Sequence, residues 1–159
     1  MTVMNSSVGS TTSAGPTTEV VTREIASWLT TWQHYINTCD TTGARPLFRA
    51  DVVGFGTKEE QLIGLDRLEA EQWAKTWDRI HDFTFDLQRL HVIHTGDARL
   101  AAAVIPFSST GLDADGARFH RPGRSTIVLC RDDTDSAWRA IHTHFSLVPG
   151  TPNTYLGPR

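Results

Sequence analysis

Hydrophobic residues recur every three or four positions early in the chain and every second position later. Between Glu19 and Thr38 the apolar side chains have the spacing of one helical face, which predicts an amphipathic helix capped by Thr17 or Thr18. The stretch "LDRLEAEQWAKTW" (65–77) repeats this spacing. The first half of the chain therefore predicts a layer of two main helices.

Beyond residue 77 apolar and polar residues alternate, which is typical of strands with one buried face. "HDFTFDLQRLHVIH" ends at "TGD", a tight-turn signal, and three similar stretches follow: "ARLAAAVIPFSS", "RFHRPGRSTIVLCR" and "AWRAIHTHFSLV". Four long strands are predicted, besides a brief one in "DVVGFGT". Helices followed by a meander of strands predict an α+β fold in which N-terminal helices pack on a curved, mostly antiparallel sheet, with a pocket at its open end.

Composition excludes several classes of function. A chain of 159 residues with 39% hydrophobic residues can bury one core, and its Ser/Thr/Gly-rich opening predicts a disordered tail over 1–18, one domain over 19–152 and a short tail over 153–159. The formal charge of −3 and the scattered arginines argue against a nucleic-acid partner. Neither a signal peptide nor a membrane-spanning stretch is recognisable, so we expect a cytoplasmic protein without membrane contact.

The stretch "WRAIHTHFSLVPGTP" holds the main candidates for chemistry. Strict alternation along a strand places His142, His144 and Ser146 on one face with Trp138 and Ala140. Histidine changes charge near neutral pH and serves as a general base or an electrophile. We therefore predict that this face is catalytic.

Neighbouring residues extend this hypothesis. Arg124 or Thr126 on the preceding strand would form, with the histidines and the serine, a group that polarises an oxyanion or a carbonyl. Two alternatives stay open: the imidazoles are hydrogen-bonded packing residues, or they bind a metal with a third ligand from a neighbouring strand. The available third ligands are His91, His94 and His120.

Aromatic residues at helical spacing suggest either a core or flat pocket walls for a ring or polyene substrate. Tyr35 ends its helix with a hydroxyl to place, and we include it among the catalytic candidates. "RPGRS" predicts a β-bulge that turns Arg121 and Arg124 to opposite sides, one towards the pocket. The predicted substrate-binding residues are Trp32, Trp73, Trp77, Phe55, His120 and Thr126.

The segments "TGDARLAAAV", "GRSTIVLCR" and "AWRAIHTHFSLVP" resemble the SnoaL-like branch of the nuclear transport factor 2-like superfamily, over roughly Glu19 to Pro152. The resemblance implies a cone-shaped α+β barrel, a homodimer and a small hydrophobic ligand. Relatives of this kind include ketosteroid isomerases, polyketide cyclases, epoxide hydrolases, dehydratases, kinase association domains and non-catalytic proteins. Tyr35 matches the tyrosine of the ketosteroid isomerases, although no pair of pocket aspartates accompanies it.

The last strand also resembles that of the ι-class carbonic anhydrases, because His144 and Ser146 coincide with the histidine and the final serine of their "HHSS" motif. Thr143 and Phe145 replace its other members. We expect acid–base chemistry on a hydrophobic metabolite without an organic cofactor. The alternatives are a non-catalytic binding or association module and an ι-class-like carbonic anhydrase.

Overall fold

The computed structural model describes residues 15–153, in which two strands separate the helical segments and five further strands follow them. Residues 1–14 and 154–159, which hold most of both expected tails, lie outside the described residues. The helical elements are α1 (Thr18–Thr38), α2 (Thr41–Ala44), α3 (Leu65–Arg67), a π-helical segment (Leu68–Trp73), α4 (Ala74–Thr76) and 3-10 turns at Arg45–Leu47, Trp77–Arg79 and Leu87–Arg89. The strands are β1 (Phe48–Phe55), β2 (Gln61–Ile63), β3 (His81–Phe85), β4 (His91–His94), β5 (Leu100–Leu112), β6 (Arg118–Cys130) and β7 (Arg139–Leu147).

Within the described part of the chain, seven strands form one sheet in the order β2-β1-β7-β6-β5-β3. Strands β3 and β4 pair with the same edge of β5: β4 pairs with residues 101–104, and β3 pairs with residues 107–110. All neighbouring pairs are antiparallel except β1 with β7. Helix α1 packs against β3 and β4, so the helices cover one face of the sheet, which we call the inner face. The predicted α+β class is confirmed.

Helix α1 begins and packs as its sequence indicates. The side chain of Thr17 accepts a hydrogen bond from the Val20 N–H, which confirms one of the two predicted caps. The apolar face of this helix is buried and carries Val21, Ile25, Trp28, Leu29, Trp32 and Ile36. The second predicted helix is interrupted at its centre, where the π-helical segment brings Leu68 and Trp73 onto one buried face.

The strand predicted over residues 81–94 is divided into two. The 3-10 turn Leu87–Arg89 separates β3 from β4, and both strands pair with β5 on either side of Pro106. Proline has no N–H to donate to a neighbouring strand, and its carbonyl accepts a hydrogen bond from the Asp86 N–H at 3.0 Å. The prediction of one continuous strand is therefore wrong at this point.

The register of β5 with β6 runs through all thirteen residues of each strand without a shift. The bulge predicted in "RPGRS" is therefore wrong. Arg121 and Arg124 nevertheless face opposite sides, as predicted, because they lie three positions apart on a regularly alternating strand. Arg121 is buried on the inner face, whereas Arg124 is exposed on the outer face.

A β-bulge lies instead at the start of β7. Val128 pairs with His142 and Leu129 pairs with Ala140, so Ile141 is the extra residue. Ala140 is fully buried on the inner side, and after the bulge the inner side is taken by the odd-numbered residues. The prediction that His142 shares a face with Ala140 and Trp138 is wrong, because the extra residue reverses the alternation.

Arg131 closes the cone at the end where β6 leads into β7. Its guanidinium donates to the carbonyls of Ala98 at 2.8 Å and Thr134 at 2.9 Å, and it pairs with Glu24 at 3.0 Å. It also lies 4.3 Å from the centre of the Trp138 ring, and the indole N–H donates to Glu24. This buried cation therefore joins α1 to two loops at one end of the β5–β6 pair, the loop before β5 and the loop after β6.

Phe145 lies at the centre of the aromatic packing between the helices and the inner face. Its ring centre lies 5.5 Å from that of Trp32 and 5.2 Å from that of Phe107, both at steep angles. Phe83 and Phe85 lie at 6.4 Å. Edge-to-face contacts of this kind stabilise the core beyond the apolar area that they bury.

Phe145→Ala is expected to lower the free energy of unfolding by about 3–5 kcal/mol, because it removes a ring from this cluster and leaves a void. His144→Ala, on the outer face, is expected to change it by less than about 0.5 kcal/mol. Urea unfolding followed by circular dichroism measures both. Equal losses in the two variants would contradict this assignment of faces.

Candidate functional site

An aromatic-walled cavity lies inside the cone, between α1, the helical residues 65–79 and the inner faces of β5, β6 and β7. The indoles of Trp73 and Trp77 are stacked, with ring centres 4.9 Å apart and planes 18° apart. Flat apolar walls of this kind suit a ring-bearing ligand. The aromatic lining residues are Trp32, Trp73, Trp77, Phe83, Phe107 and Phe145.

A small set of polar side chains also reaches the cavity. Thr143, only 1% exposed, projects from β7, between two histidines that point the other way. Among the described lining residues, Glu59 and Arg121 are the ionisable ones. A carboxylate can exchange a proton with a ligand, whereas a guanidinium keeps its charge and donates hydrogen bonds. Thr57, Gln72 and Thr76 complete the polar lining.

Two long side chains lie over the Gly56 backbone beside the cavity. A Cβ placed on Gly56 would lie 2.5 Å from Glu59 Oε2 and 2.7 Å from Gln72 Nε2, so a larger residue there would displace both. The space they leave inside is about 50 Å³, enough for several water molecules or a small chemical group. A ligand with a ring therefore requires Glu59 and Gln72 to rotate away, which long side chains do readily.

Arg121 is 2% exposed although it carries a permanent charge. Its Nη1 donates to Ser109 Oγ at 3.1 Å, across the β5–β6 pair. Gly111, the next inner-face residue of β5, provides the space for the arginine stem, since a Cβ there would lie 2.7 Å from Arg121 Cδ. The hydrogen bond to Ser109 and the space at Gly111 both help to hold the guanidinium at the cavity wall.

The predicted histidine group is assembled, but on the outer face of the sheet. His144 lies opposite Thr126, and Ser146 lies opposite Arg124. These four residues line an open groove outside the cone together with His91. Their catalytic roles stay a prediction, now attached to a surface that faces away from the aromatic cavity.

His142 and Phe55 are also on the outer face. The Nδ1 atom of His142 lies 3.0 Å from the Val53 carbonyl, and the Phe55 ring centre lies 5.9 Å from that of His142 and 5.4 Å from that of His144. His120 lies opposite Thr110 and borders a separate outer groove. These contacts are compatible with packing, the alternative weighed for the histidines.

Of the other residues predicted for the site, three line the cavity and Tyr35 does not. Trp32, Trp73 and Trp77 line the cavity, where substrate-binding residues were expected. Tyr35 is half-buried beside the ring of His34, 5.7 Å away, and is not among the described residues that line the cavity. The tyrosine therefore does not occupy the position that a ketosteroid-isomerase-like oxyanion hole would need.

The histidines do not gather around a metal position. Among residues 15–153, no group of three histidine, cysteine or acidic side chains is close enough together to hold a metal ion. His94, one of the proposed third ligands, instead shares a hydrogen bond of 3.0 Å with the Thr18 hydroxyl. In the same part of the chain, no helix is long and apolar enough to cross a membrane.

Several cavity residues were not recognised in the sequence. Thr143 was missed because the bulge at Ile141 reverses the faces of β7, although its flanking apolar residues on alternate positions were a usable signal. Glu59 lies in the loop between β1 and β2, where no periodicity marks it. Gln72 lies in a π-helical segment, which no pattern in the sequence predicted.

Comparison with known proteins agrees with this architecture. The sequence model of a family described as SnoaL-like domain matches residues 25–150. No curated protein sequence matches the chain significantly.

Solved structures of similar fold cover most of the chain. A nuclear transport factor 2 (NTF2-like) superfamily protein from Salmonella enterica is 20% identical, with a TM-score of 0.68 over 87% of this chain and 100% of its own. The association domain of C. elegans CaMKII is 17% identical, with a TM-score of 0.63 over 80% and 96%. A ketosteroid isomerase-like protein from Erwinia carotovora is 16% identical, with a TM-score of 0.62 over 79% and 95%.

At these identities the structural likeness concerns the fold alone. The family match extends over most of the domain, from within α1 to the end of β7. The resemblance stated from the sequence is thereby confirmed. The chain belongs to the SnoaL-like domain family.

Proposed function

We propose that this protein binds a hydrophobic, ring-bearing small molecule inside the cone and performs acid–base chemistry on it with Glu59. The observation that carries the proposal is the cavity itself, walled by six aromatic rings and reached by one carboxylate and one guanidinium. Apolar walls with a few polar groups are the usual composition of small-molecule sites. The name of the ketosteroid isomerase-like relative is consistent with proton transfer.

Glu59 suits the role of proton carrier better than the histidines do. It lines the cavity, whereas His142 and His144 lie across the sheet from the aromatic walls. A carboxylate can remove a proton from a carbon beside a carbonyl. Arg121 would then stabilise negative charge that develops on the ligand.

Gln72→Phe is expected to weaken binding of 2-naphthol at least about tenfold, since a bulky ring replaces a flexible side chain at the mouth. Isothermal titration calorimetry measures the affinity, and quenching of the cavity tryptophans reports the position of the probe. His144→Gln is expected to leave the affinity unchanged. The reverse pattern, with binding lost in His144→Gln and kept in Gln72→Phe, would place the ligand in the outer groove, as the sequence-based assignment has it.

Glu59→Gln is expected to slow proton exchange on a bound ketone by about 10²–10⁴-fold while binding persists, because the amide cannot accept the proton. The measurement is deuterium incorporation into 2-tetralone in D₂O, followed by NMR. Glu60→Gln, at the exposed neighbouring position, is the matched control. If the wild type exchanges no faster than Glu59→Gln, the non-catalytic binding module is the better description.

We also propose that two copies associate through the outer face. This face exposes apolar side chains on β4 and β5: Ile93 is 59% exposed, Val104 42% and Leu100 41%. Among the described elements, the helices pack on the other side of the sheet, so a second copy would bury this apolar surface. Cytoplasmic location and the lack of an organic cofactor stay predictions from the sequence.

Light scattering is expected to give about twice the chain mass of 17.6 kDa. Val104→Asp is expected to give the single-chain mass, because it places a charge in the middle of the apolar outer face. Val20→Asp, on the exposed side of α1, is expected to leave the dimer intact. A wild type that stays monomeric at micromolar concentration would exclude the dimer.

A further inference from the structure

We infer that the ligand of the cone cavity is an acid, and that Arg121 binds its carboxylate. The inference rests on the proposed function, because it names the chemical class of the molecule that the cavity takes. It assigns the inner arginine of β6 a role in ligand selection.

Two small residues of β5 leave room beside Arg121. Ser109 and Gly111 are consecutive inner-face residues of β5, and the same alternation places the bulky Phe107 just before them. Ser109 accepts a hydrogen bond from Arg121. A Cβ at Gly111 would lie 2.7 Å from Arg121 Cδ and 2.5 Å from Phe119 Cζ, so the arginine stem and the Phe119 ring share the space at this glycine.

The position favours an anion on electrostatic grounds. The guanidinium is charged at every physiological pH and offers parallel N–H groups that match the two oxygens of a carboxylate. Arg121 is 2% exposed and lines a cavity whose walls are largely aromatic, so water screens its charge weakly. A charge–charge hydrogen bond is therefore stronger here than at the protein surface.

The other cavity residues set the orientation and the remaining chemistry of the ligand. Glu59 repels a carboxylate, so the acid group lies towards Arg121 and the apolar body lies between the rings. An aromatic body suits this cavity, since six of its lining residues are aromatic. The inferred class is thus a carboxylic acid with an aromatic body of one or two rings, whose uncharged part faces Glu59.

The wild-type protein tests this without any substitution. 2-Naphthoate and 2-naphthamide have the same shape and differ in charge, and calorimetry at pH 7.5 compares their affinities. The acid is expected to bind about 10- to 100-fold more tightly, the usual advantage of a charged hydrogen bond. Equal affinity of acid and amide would overturn the inference and leave the proposed cavity function standing, whereas binding of neither would overturn both.

Variants locate the effect. Arg121→Met is expected to abolish the preference for the acid while amide binding persists, and Arg121→Lys is expected to keep part of it. Arg118→Met, on the exposed start of the same strand, is the matched control and is expected to keep the full preference. A preference that survives in Arg121→Met would assign it to another group and contradict the inference.

Ser109→Ala provides a second, milder variant if Arg121→Met does not fold. Loss of the hydroxyl frees the guanidinium to turn, so the affinity for 2-naphthoate is expected to fall several-fold while that for 2-naphthamide is unchanged. Ser108→Ala, the neighbouring outer-face position, is the control. Equal losses for acid and amide in Ser109→Ala would indicate a structural role only, and would overturn the assignment to Arg121.

Discussion

The uninterrupted hydrogen-bonded ladder between β5 and β6 determines where the charges of this protein lie. Thirteen consecutive residue pairs hold both strands in one register, and every second side chain of each strand must face the helices. Arg121 is therefore carried into the cone together with apolar neighbours, while Arg124 is carried out. A slip of one residue would turn Arg121 outwards and Arg124 inwards, so the cation inside the cone would lie three positions further along β6.

The same ladder continues into β7, where one extra residue changes its outcome. The bulge at Ile141 lets Ala140 remain buried at the closed end of the cone and still turns Thr143 and Phe145 inwards at the open end. The histidines are displaced to the outer face as a result. Inner and outer faces thereby acquire different chemistry: aromatic rings with one carboxylate and one guanidinium inside, and imidazoles, arginines and exposed aliphatic residues outside.

A second buried arginine, Arg131, lies at the closed end of the cone and has a structural role. Arg131 is paired with Glu24, bonded to two carbonyls and stacked on Trp138, all of them groups of the fold. Arg121, at the open end, donates to a serine hydroxyl and borders the cavity. The two arginines have comparable burial, but of the two only Arg121 lines the aromatic cavity, and the proposed role in ligand binding depends on this position.

Local patterns in the sequence were sufficient to predict which segments form helices and which form strands. Helix α1 and its Thr17 cap, the alternating strands β5 and β6 and the turn before β5 all follow from residues close together in the chain, since periodicity and capping depend on near neighbours. The motifs of the last three strands were sufficient to identify the family. The division of the strand at residues 86–90, by contrast, depends on Pro106 of the strand that pairs with it.

Only the tertiary structure decided which residues form the site. Its members come from α1, the β1–β2 loop, the helical residues 72–77 and four strands, and no local pattern relates segments so far apart. The prediction for β7 shows the reason most clearly. The alternation of side chains was predicted correctly, but a single bulged residue, visible only in the pairing with β6, reverses which residues face the helices. The sequence determines the chemistry of each side chain. The face of the sheet on which that side chain lies depends on strand register, which is a property of the whole sheet.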